Sequence, residues 1–79
     1  MTDRLTSATV DEWTRGTLAE RTAARLAEEI RDLPRWHPVE SQRDLATRLD
    51  VSDATICRAK RLLAHHGVIA KHDGMYYVA

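Results

Sequence analysis

Apolar residues recur at helical spacing from Thr17 to Asp32, and charged residues occupy the opposite side of the same stretch. The apolar positions are Leu18, Ala19, Ala23, Leu26, Ala27 and Ile30, with Leu33 just beyond. A stripe with a period near 3.6 residues predicts an amphipathic helix. Pro34 stops it, because proline lacks the amide hydrogen that a continuing helix needs. The pattern therefore predicts one long helix over residues 17–32.

A shorter helix is expected ahead of this one. Thr9 and Glu12 have the spacing of a Thr-x-x-Glu capping box, so a helix should begin at Val10. Trp13 would lie on the inner side of this helix. Gly16 either weakens a single continuous helix by about 1 kcal/mol or separates two helices. Residues 1–8 are small and polar, and we expect them to be frayed or extended.

Two short amphipathic helices are predicted in the second half of the chain. Ser41 followed by Asp44 has the form of a helix start, so the first helix begins near Gln42 and buries Leu45, Ala46 and Leu49. The chain must turn after this helix, and Asp50 suits the turn because an aspartate tolerates the left-handed conformation. The first of the two helices is therefore about two turns long.

Ser52 caps the second of these helices, and Gly67 ends it. Its buried stripe is Ile56, Ala59, Leu62 and Leu63. Val51, in the turn, fills the space between the two helices. Two short helices joined by such a turn form a helix-turn-helix, whose second helix lies in the DNA major groove. Opposite the buried stripe lie Ala54, Thr55, Arg58 and Arg61.

A β-hairpin is predicted directly after the second helix. Residues 68–70 and 75–78 read as strands around residues 71–74, in which Asp-Gly is a strong hairpin signal. Tyr76 and Tyr77 should alternate, one inward and one outward. Residues 35–39 should be extended, because the residue before each of Pro34 and Pro38 is pushed towards β conformations. We expect Trp36 or Val39 to pack under the helices.

The stretch 39–79 resembles the DNA-binding domain of the GntR family of bacterial regulators, which typically reads LPSERELAxxLGVSRxTVRxALxxLxxxGLIxxxxGxGxxV. The two align without a gap, and residues 17–32 stand where the family's first helix stands, which favours a break at Gly16. The resemblance implies an α+β, mainly α fold: a winged helix-turn-helix of three helices and a C-terminal β-hairpin wing, here with an extra short N-terminal helix in residues 1–16. In many members a short strand near residues 35–39 pairs with the wing.

Composition adds limits to this picture. A chain of 79 residues makes one domain that buries roughly 60% of its unfolded surface, which argues against a multi-step enzyme. Basic and acidic residues balance at 12 each, yet residues 1–34 carry a net charge of −2 and residues 35–79 of +2. One cysteine, and the lack of a membrane span or signal peptide in the sequence, favour a cytoplasmic protein without membrane contact. The C-terminal effector domain that the family usually carries is missing here, so the chain is expected to be either a small stand-alone regulator or an isolated domain, and a small-molecule effector is not expected. The initial Met and the absence of a tag favour the stand-alone regulator.

We expect contacts with double-stranded DNA from Ser41, Arg43, Ser52, Ala54, Thr55, Arg58, Arg61, Lys71, His72 and Gly74. Arg58 faces outward and its guanidinium can bond guanine in bidentate fashion. The resemblance gives Arg43 the position of the arginine in the family's SERE motif. Lys71 and His72 read as wing-tip groups that reach phosphate or the minor groove. The histidines and Cys57 lack metal-ligand spacing, and no nucleophile motif or phosphate loop is present, so we expect no metal, cofactor or catalysis.

A homodimer is expected, because one short helix and one wing without net charge provide little affinity. Its surface would be an apolar patch of Trp13, Val10 and Leu18, which in a monomer would fold back on the first long helix instead. An alternative function is a winged helix for protein contact, for instance an adaptor in a DNA-processing complex. The zero net charge and Asp53, where the family often has arginine, support that alternative.

Overall fold

A computed structural model describes residues 6–79, except for the side chain of Ser7. These residues form a small α+β fold that is mainly helical. In chain order the elements are α1 Ser7–Thr14, α2 Leu18–Ile30, α3 Gln42–Leu49, α4 Asp53–His65, β1 Ile69–His72 and β2 Met75–Val78. None of the helices in this part of the chain is both long and apolar enough to cross a membrane.

Helix α1 begins three residues earlier than predicted, because Thr6 and not Thr9 is its cap. The Thr6 hydroxyl accepts a hydrogen bond from the Thr9 amide at 3.1 Å. Thr9 therefore lies inside the first turn, where its amide needs an acceptor, and within residues 6–79 Glu12 makes no return bond to it. The expectation that residues 1–8 are frayed or extended is wrong at positions 7 and 8, which belong to α1, and its first five positions lie outside the described residues.

The break between α1 and α2 confirms that Gly16 separates two helices. Thr17 and Glu20 form a complete capping box, with bonds of 3.1 Å to the Glu20 amide and 2.8 Å from the Thr17 amide to the Glu20 carboxylate. A Cβ added at Gly16 would collide with that carboxylate. Glycine at this position therefore leaves room for the box to close. The predicted long helix is confirmed, although it ends at Ile30.

The start and end signals of α3 and α4 are confirmed. Ser41 accepts from the Asp44 amide at 3.1 Å, and Ser52 accepts from the Thr55 amide at 3.1 Å. Asp50 is left-handed with φ of 57°. Only three residues, 50–52, separate the two helices, and this short turn fixes how α4 leaves α3. Gly67, with φ of 75°, follows the end of α4.

The core lies between α2 and α4, and α1, α3 and the hairpin close it. Its largest fully buried side chains are Leu45, Ile56, Leu63 and Ile69. Val51 and Leu62 are half-buried against this cluster. Trp13 is only 5% exposed, and its ring lies 5.2 Å from that of His66. The prediction that Trp13 belongs to a dimer patch is therefore wrong, since its side chain is already covered within one chain.

The hairpin is confirmed, with a longer first strand than predicted. Its two-residue turn, Asp73 and Gly74, has φ of 52° and 81°, as the right-handed twist of the flanking strands requires. The segment before α3 pairs with β2 through the Trp36 amide to the Val78 carbonyl (2.8 Å) and the Val39 amide to the Tyr76 carbonyl (3.0 Å).

Val39 is the residue of this segment that packs on the core. Trp36 has φ of 69° and its side chain is 61% exposed, so its alternative placement under the helices is wrong. Its backbone pairing with β2 orients the indole away from the core. Such long-range pairing leaves no local signal in the sequence.

Candidate nucleic-acid interface

The outward side of α4 carries the predicted contact residues. Ala54, Arg58 and Arg61 are exposed, and Thr55 is half-buried. Among residues 6–79, neither arginine makes a hydrogen bond or an ion pair. Arg58 borders a crevice between the start of α2 and α4 that also includes Thr17 and His65. Both guanidinium groups are therefore available to an external ligand.

Ser52 and Thr55 use their hydroxyl groups within the protein. The two side-chain oxygens lie 2.9 Å apart, and Ser52 also accepts from the Thr55 amide. Their first role is to cap α4, which stabilises a helix by about 1 kcal/mol. Arg43 is exposed on α3 and is not among the residues that border the groove described next.

A groove of about 350 Å³ lies between the start of α3, the middle of α4 and the hairpin. Its polar lining consists of Ser41, Gln42, Cys57, Lys60, Arg61 and Lys71, with Gly74, Met75 and Tyr76 on the hairpin side. The fold thus brings together four residues predicted from the sequence: Ser41, Arg61, Lys71 and Gly74. Sequence reasoning missed Gln42 and Lys60.

Lys71 and His72 lie on opposite faces of the hairpin. Lys71 pairs with Tyr76, and its ammonium is 5.7 Å from the centroid of that ring, on the groove side. The His72 ring lies 6.2 Å from Trp36 and 3.4 Å from the Asp73 carboxylate. Of the two expected wing-tip groups, only Lys71 faces the groove, because successive residues of a strand point to opposite sides.

Lys60 is a buried lysine, with 6% of its surface exposed. Its ammonium donates to the Glu40 carbonyl at 2.8 Å and lies 5.5 Å from the centroid of the Tyr76 ring. Burial lowers the pKa of the Lys60 ammonium below its usual value. The sequence held a signal for this residue, since Lys60 is four positions after Ile56 and so lies on the buried stripe of α4.

A second polar cluster holds α3 against α2. The Arg48 guanidinium donates to both carboxylate oxygens of Glu29, at 2.7 and 3.1 Å, and to both of Glu40, at 2.6 and 3.2 Å. Its hydrogen bonds to Glu29 hold the pKa of that carboxyl below the usual value. The cluster therefore ties the helix pair to the body of the protein. It joins residues far apart in sequence, and no local pattern predicted it.

The charge of this side of the molecule is mixed but leans positive. Together α4 and the hairpin carry four Lys and Arg residues and two carboxylates, Asp53 and Asp73. Asp53 is exposed in the first turn of α4, where it interacts favourably with the helix dipole. Over residues 6–79, no three His, Cys, Asp or Glu side chains are grouped as metal ligands would be.

Comparison with known proteins gives no relative from which a function can be transferred. No family model, curated protein or solved structure matches the chain.

Proposed function

We propose that the protein is a winged helix-turn-helix regulator of transcription that binds specific sites on double-stranded DNA, most simply as a repressor in the cytoplasm. Helix α4 is its recognition helix and enters the major groove, and the hairpin is its wing. The protein needs no cofactor and performs no catalysis in this role.

One observation carries the proposal: the exposed face of α4, which follows α3 after a turn of three residues, has two arginines that form no ion pair with any described carboxylate. Arg58 and Arg61 are one helical turn apart, so they lie close together on that face. The small side chain of Ala54 near the start of α4 allows the helix to approach base edges. An arginine that is free on such a face is suited to bidentate bonds with guanine.

The proposed regulator acts as a dimer. One short helix and one wing read few base pairs, and a chain without net charge has little non-specific affinity to add. Two-fold pairing on DNA requires an inverted repeat with half-sites about 10 base pairs, or a multiple of that, apart. The pairing surface excludes Trp13, which is buried.

Selection from random duplexes at low salt tests the proposal, because it measures DNA binding and returns the site in one experiment. On the selected duplex, Arg58→Ala should weaken binding by about 1 to 3 kcal/mol, and by much less on random DNA. Arg21→Ala removes the same charge from the exposed side of α2 and is the matched control. Failure to enrich any sequence would reject the proposed function, and equal losses on both DNAs would show that Arg58 contacts only phosphate.

A second candidate function is protein contact through the wing. Trp36 and Met75 are 61% and 55% exposed. The Trp36 ring lies 6.1 Å from that of Tyr77 on the outer face of the hairpin, and the sulfur of Met75, which also borders the groove, lies 3.9 Å from the Tyr77 hydroxyl. Exposed aromatic and Met side chains are enriched at protein interfaces. This candidate predicts that Trp36→Ala leaves duplex binding unchanged and abolishes binding of a protein partner.

A further inference from the structure

The ammonium of Lys60 has fewer partners than its donors require. An ammonium carries three donor hydrogens, and the only acceptor for Lys60 within residues 6–79 is the Glu40 carbonyl. The Glu40 carboxylate is occupied by Arg48. No carboxylate in this part of the chain lies within ion-pair distance of Lys60. Burial is the largest effect on this ammonium and lowers its pKa, and the Glu40 carboxylate, which is beyond ion-pair distance, offsets that effect only in part.

The groove beside Lys60 concentrates positive charge. Lys60, Arg61 and Lys71 all border it, and none of the lining residues from the described range 6–79 is acidic. The ammonium groups of Lys60 and Lys71 lie at nearly the same distance, 5.5 and 5.7 Å, from one ring, that of Tyr76. In a chain with 12 basic and 12 acidic residues, three cations in a described lining that includes no carboxylate favour an anion in this groove.

The chemistry of the lining favours a phosphate group over a carboxylate. Several cations on different sides match an anion with several acceptor oxygens, and each charge-assisted hydrogen bond is about twice as strong as a neutral one. The Ser41 hydroxyl and the Gln42 amide add neutral groups at the start of α3. The groove, at about 350 Å³, is larger than a phosphate group and leaves room for an attached sugar.

We propose that this groove is a phosphate-binding site, in which Lys60, Arg61 and Lys71 hold a phosphoryl group between their cationic ends. As an extension that rests on the proposed function, the group is one backbone phosphate of the DNA, held between the recognition helix and the wing. A free phosphorylated compound presents the same chemistry, so the experiment has one arm for each source.

The first arm titrates inorganic pyrophosphate into the ¹⁵N-labelled protein and follows its amide signals. The wild type should show saturable shifts centred on Ser41, Gln42 and Gly74. Lys60→Met and Lys71→Gln should each weaken binding about tenfold or more. Arg21→Gln, with the same change in net charge, should bind as the wild type does.

Folding of the variants is checked by circular dichroism. Lys60→Met keeps the apolar stem of the side chain, and Lys71→Gln lies on an exposed strand, so the second variant tests the site even if the first unfolds. No binding of pyrophosphate by the wild type would overturn the proposal. So would equal weakening in Lys71→Gln and Arg21→Gln, since that would mean only a general effect of charge.

The second arm uses the selected duplex with a single neutral methylphosphonate at each backbone position in turn. At one position in each half-site, the wild type should lose about tenfold in affinity, and Lys60→Met should lose nothing further. Equal losses in both proteins at every position would overturn the DNA extension. Pyrophosphate binding without any duplex binding would reject the proposed function and assign the groove to a free phosphate compound.

Discussion

At the scale of single residues, Lys60 shows a conflict between packing and charge. A Met or Leu would fit the buried stripe of α4 without cost, whereas a lysine there must keep its ammonium solvated by one carbonyl and one ring. Replacing a buried charged group by an apolar one of similar volume is often neutral or stabilising. The lysine is therefore better explained by what its charge binds than by folding.

We predict that Lys60→Met raises the free energy of unfolding at pH 7, by up to about 1 kcal/mol. The pKa of Lys60 is lower in the folded protein than its ordinary 10.5, so the unfolded chain holds the proton over a pH range just below 10.5. Across that range the wild type gains stability as the pH rises, and its deficit relative to Lys60→Met shrinks. Urea unfolding of both proteins at pH 7 and pH 10 measures this. A difference that does not change with pH would contradict it.

Residue-scale prediction from the sequence succeeded where the signal is local. The hydroxyls of Ser41 and Ser52 cap the helices that follow them, and Asp50 takes the left-handed turn, because each depends on two or three neighbours only. Thr6 and Thr9 are both suited to cap α1, and the structure uses Thr6, which makes the helix longer. The exposure of Trp36 depends on partners far along the chain, so the local pattern did not reveal it, whereas the burial of Lys60 follows from its place four residues after Ile56 on the buried stripe of α4.

At the scale of elements, the contact between α2 and α3 depends on the Arg48 cluster. The α3 helix has only eight residues and buries Leu45 and Ala46, so the side-chain hydrogen bonds of Arg48 supplement a small apolar contact. They join α3, α2 and the segment before α3 at one point. The orientation of α4 then follows through the three-residue turn.

We predict that Arg48→Met lowers the free energy of unfolding by about 1 kcal/mol or less at pH 7, because the side chains involved are partly exposed. The pKa of Glu29 is lowered in the folded protein. Its contribution is thus present above its ordinary value of 4.5 and lost as the pH falls through the folded value. The wild type and Arg48→Met should therefore converge as the pH falls below 4.5. Arg31→Met, at an exposed pair with Glu28, is the control and should match the wild type throughout.

Only the parts of the candidate site that lie on a single element could be predicted from the sequence. The face of α4 and the groove side of the hairpin could be predicted from helical and strand periodicity, and Arg58, Arg61 and Lys71 lie where those patterns put them. The groove itself could not, because it forms where three elements meet. Gln42 and Lys60 were missed in the sequence, because they can be recognised as groove residues only once this junction is known.

At the scale of the whole molecule, α1 is part of the core. We predict that Trp13→Ala lowers the free energy of unfolding by about 3 to 5 kcal/mol, which is a large share of the stability of a small domain. Thermal unfolding followed by circular dichroism measures the loss. Leu18→Ala, at a 48% exposed position on α2, is the control and should cost far less. A mild effect of Trp13→Ala would mean that α1 is not needed for the core.

The second prediction at this scale concerns assembly on DNA. Sedimentation of the wild type with the selected duplex should give two protein chains per inverted repeat. A duplex with one half-site should bind with clearly lower affinity, because it cannot seat both copies. A single chain on one half-site with undiminished affinity would show that the protein works as a monomer.

The unequal burial of the two tryptophans has an optical consequence. Trp13 is enclosed beside His66, whereas the indole of Trp36 is in solvent at the hairpin. Iodide should quench the emission of Trp36 and leave that of Trp13 almost untouched. The quenchable fraction then follows events at the hairpin, and the protected fraction follows unfolding of the core. A single iodide-quenching experiment can thus distinguish a ligand that covers the outer face of the hairpin from a ligand that only stabilises the fold.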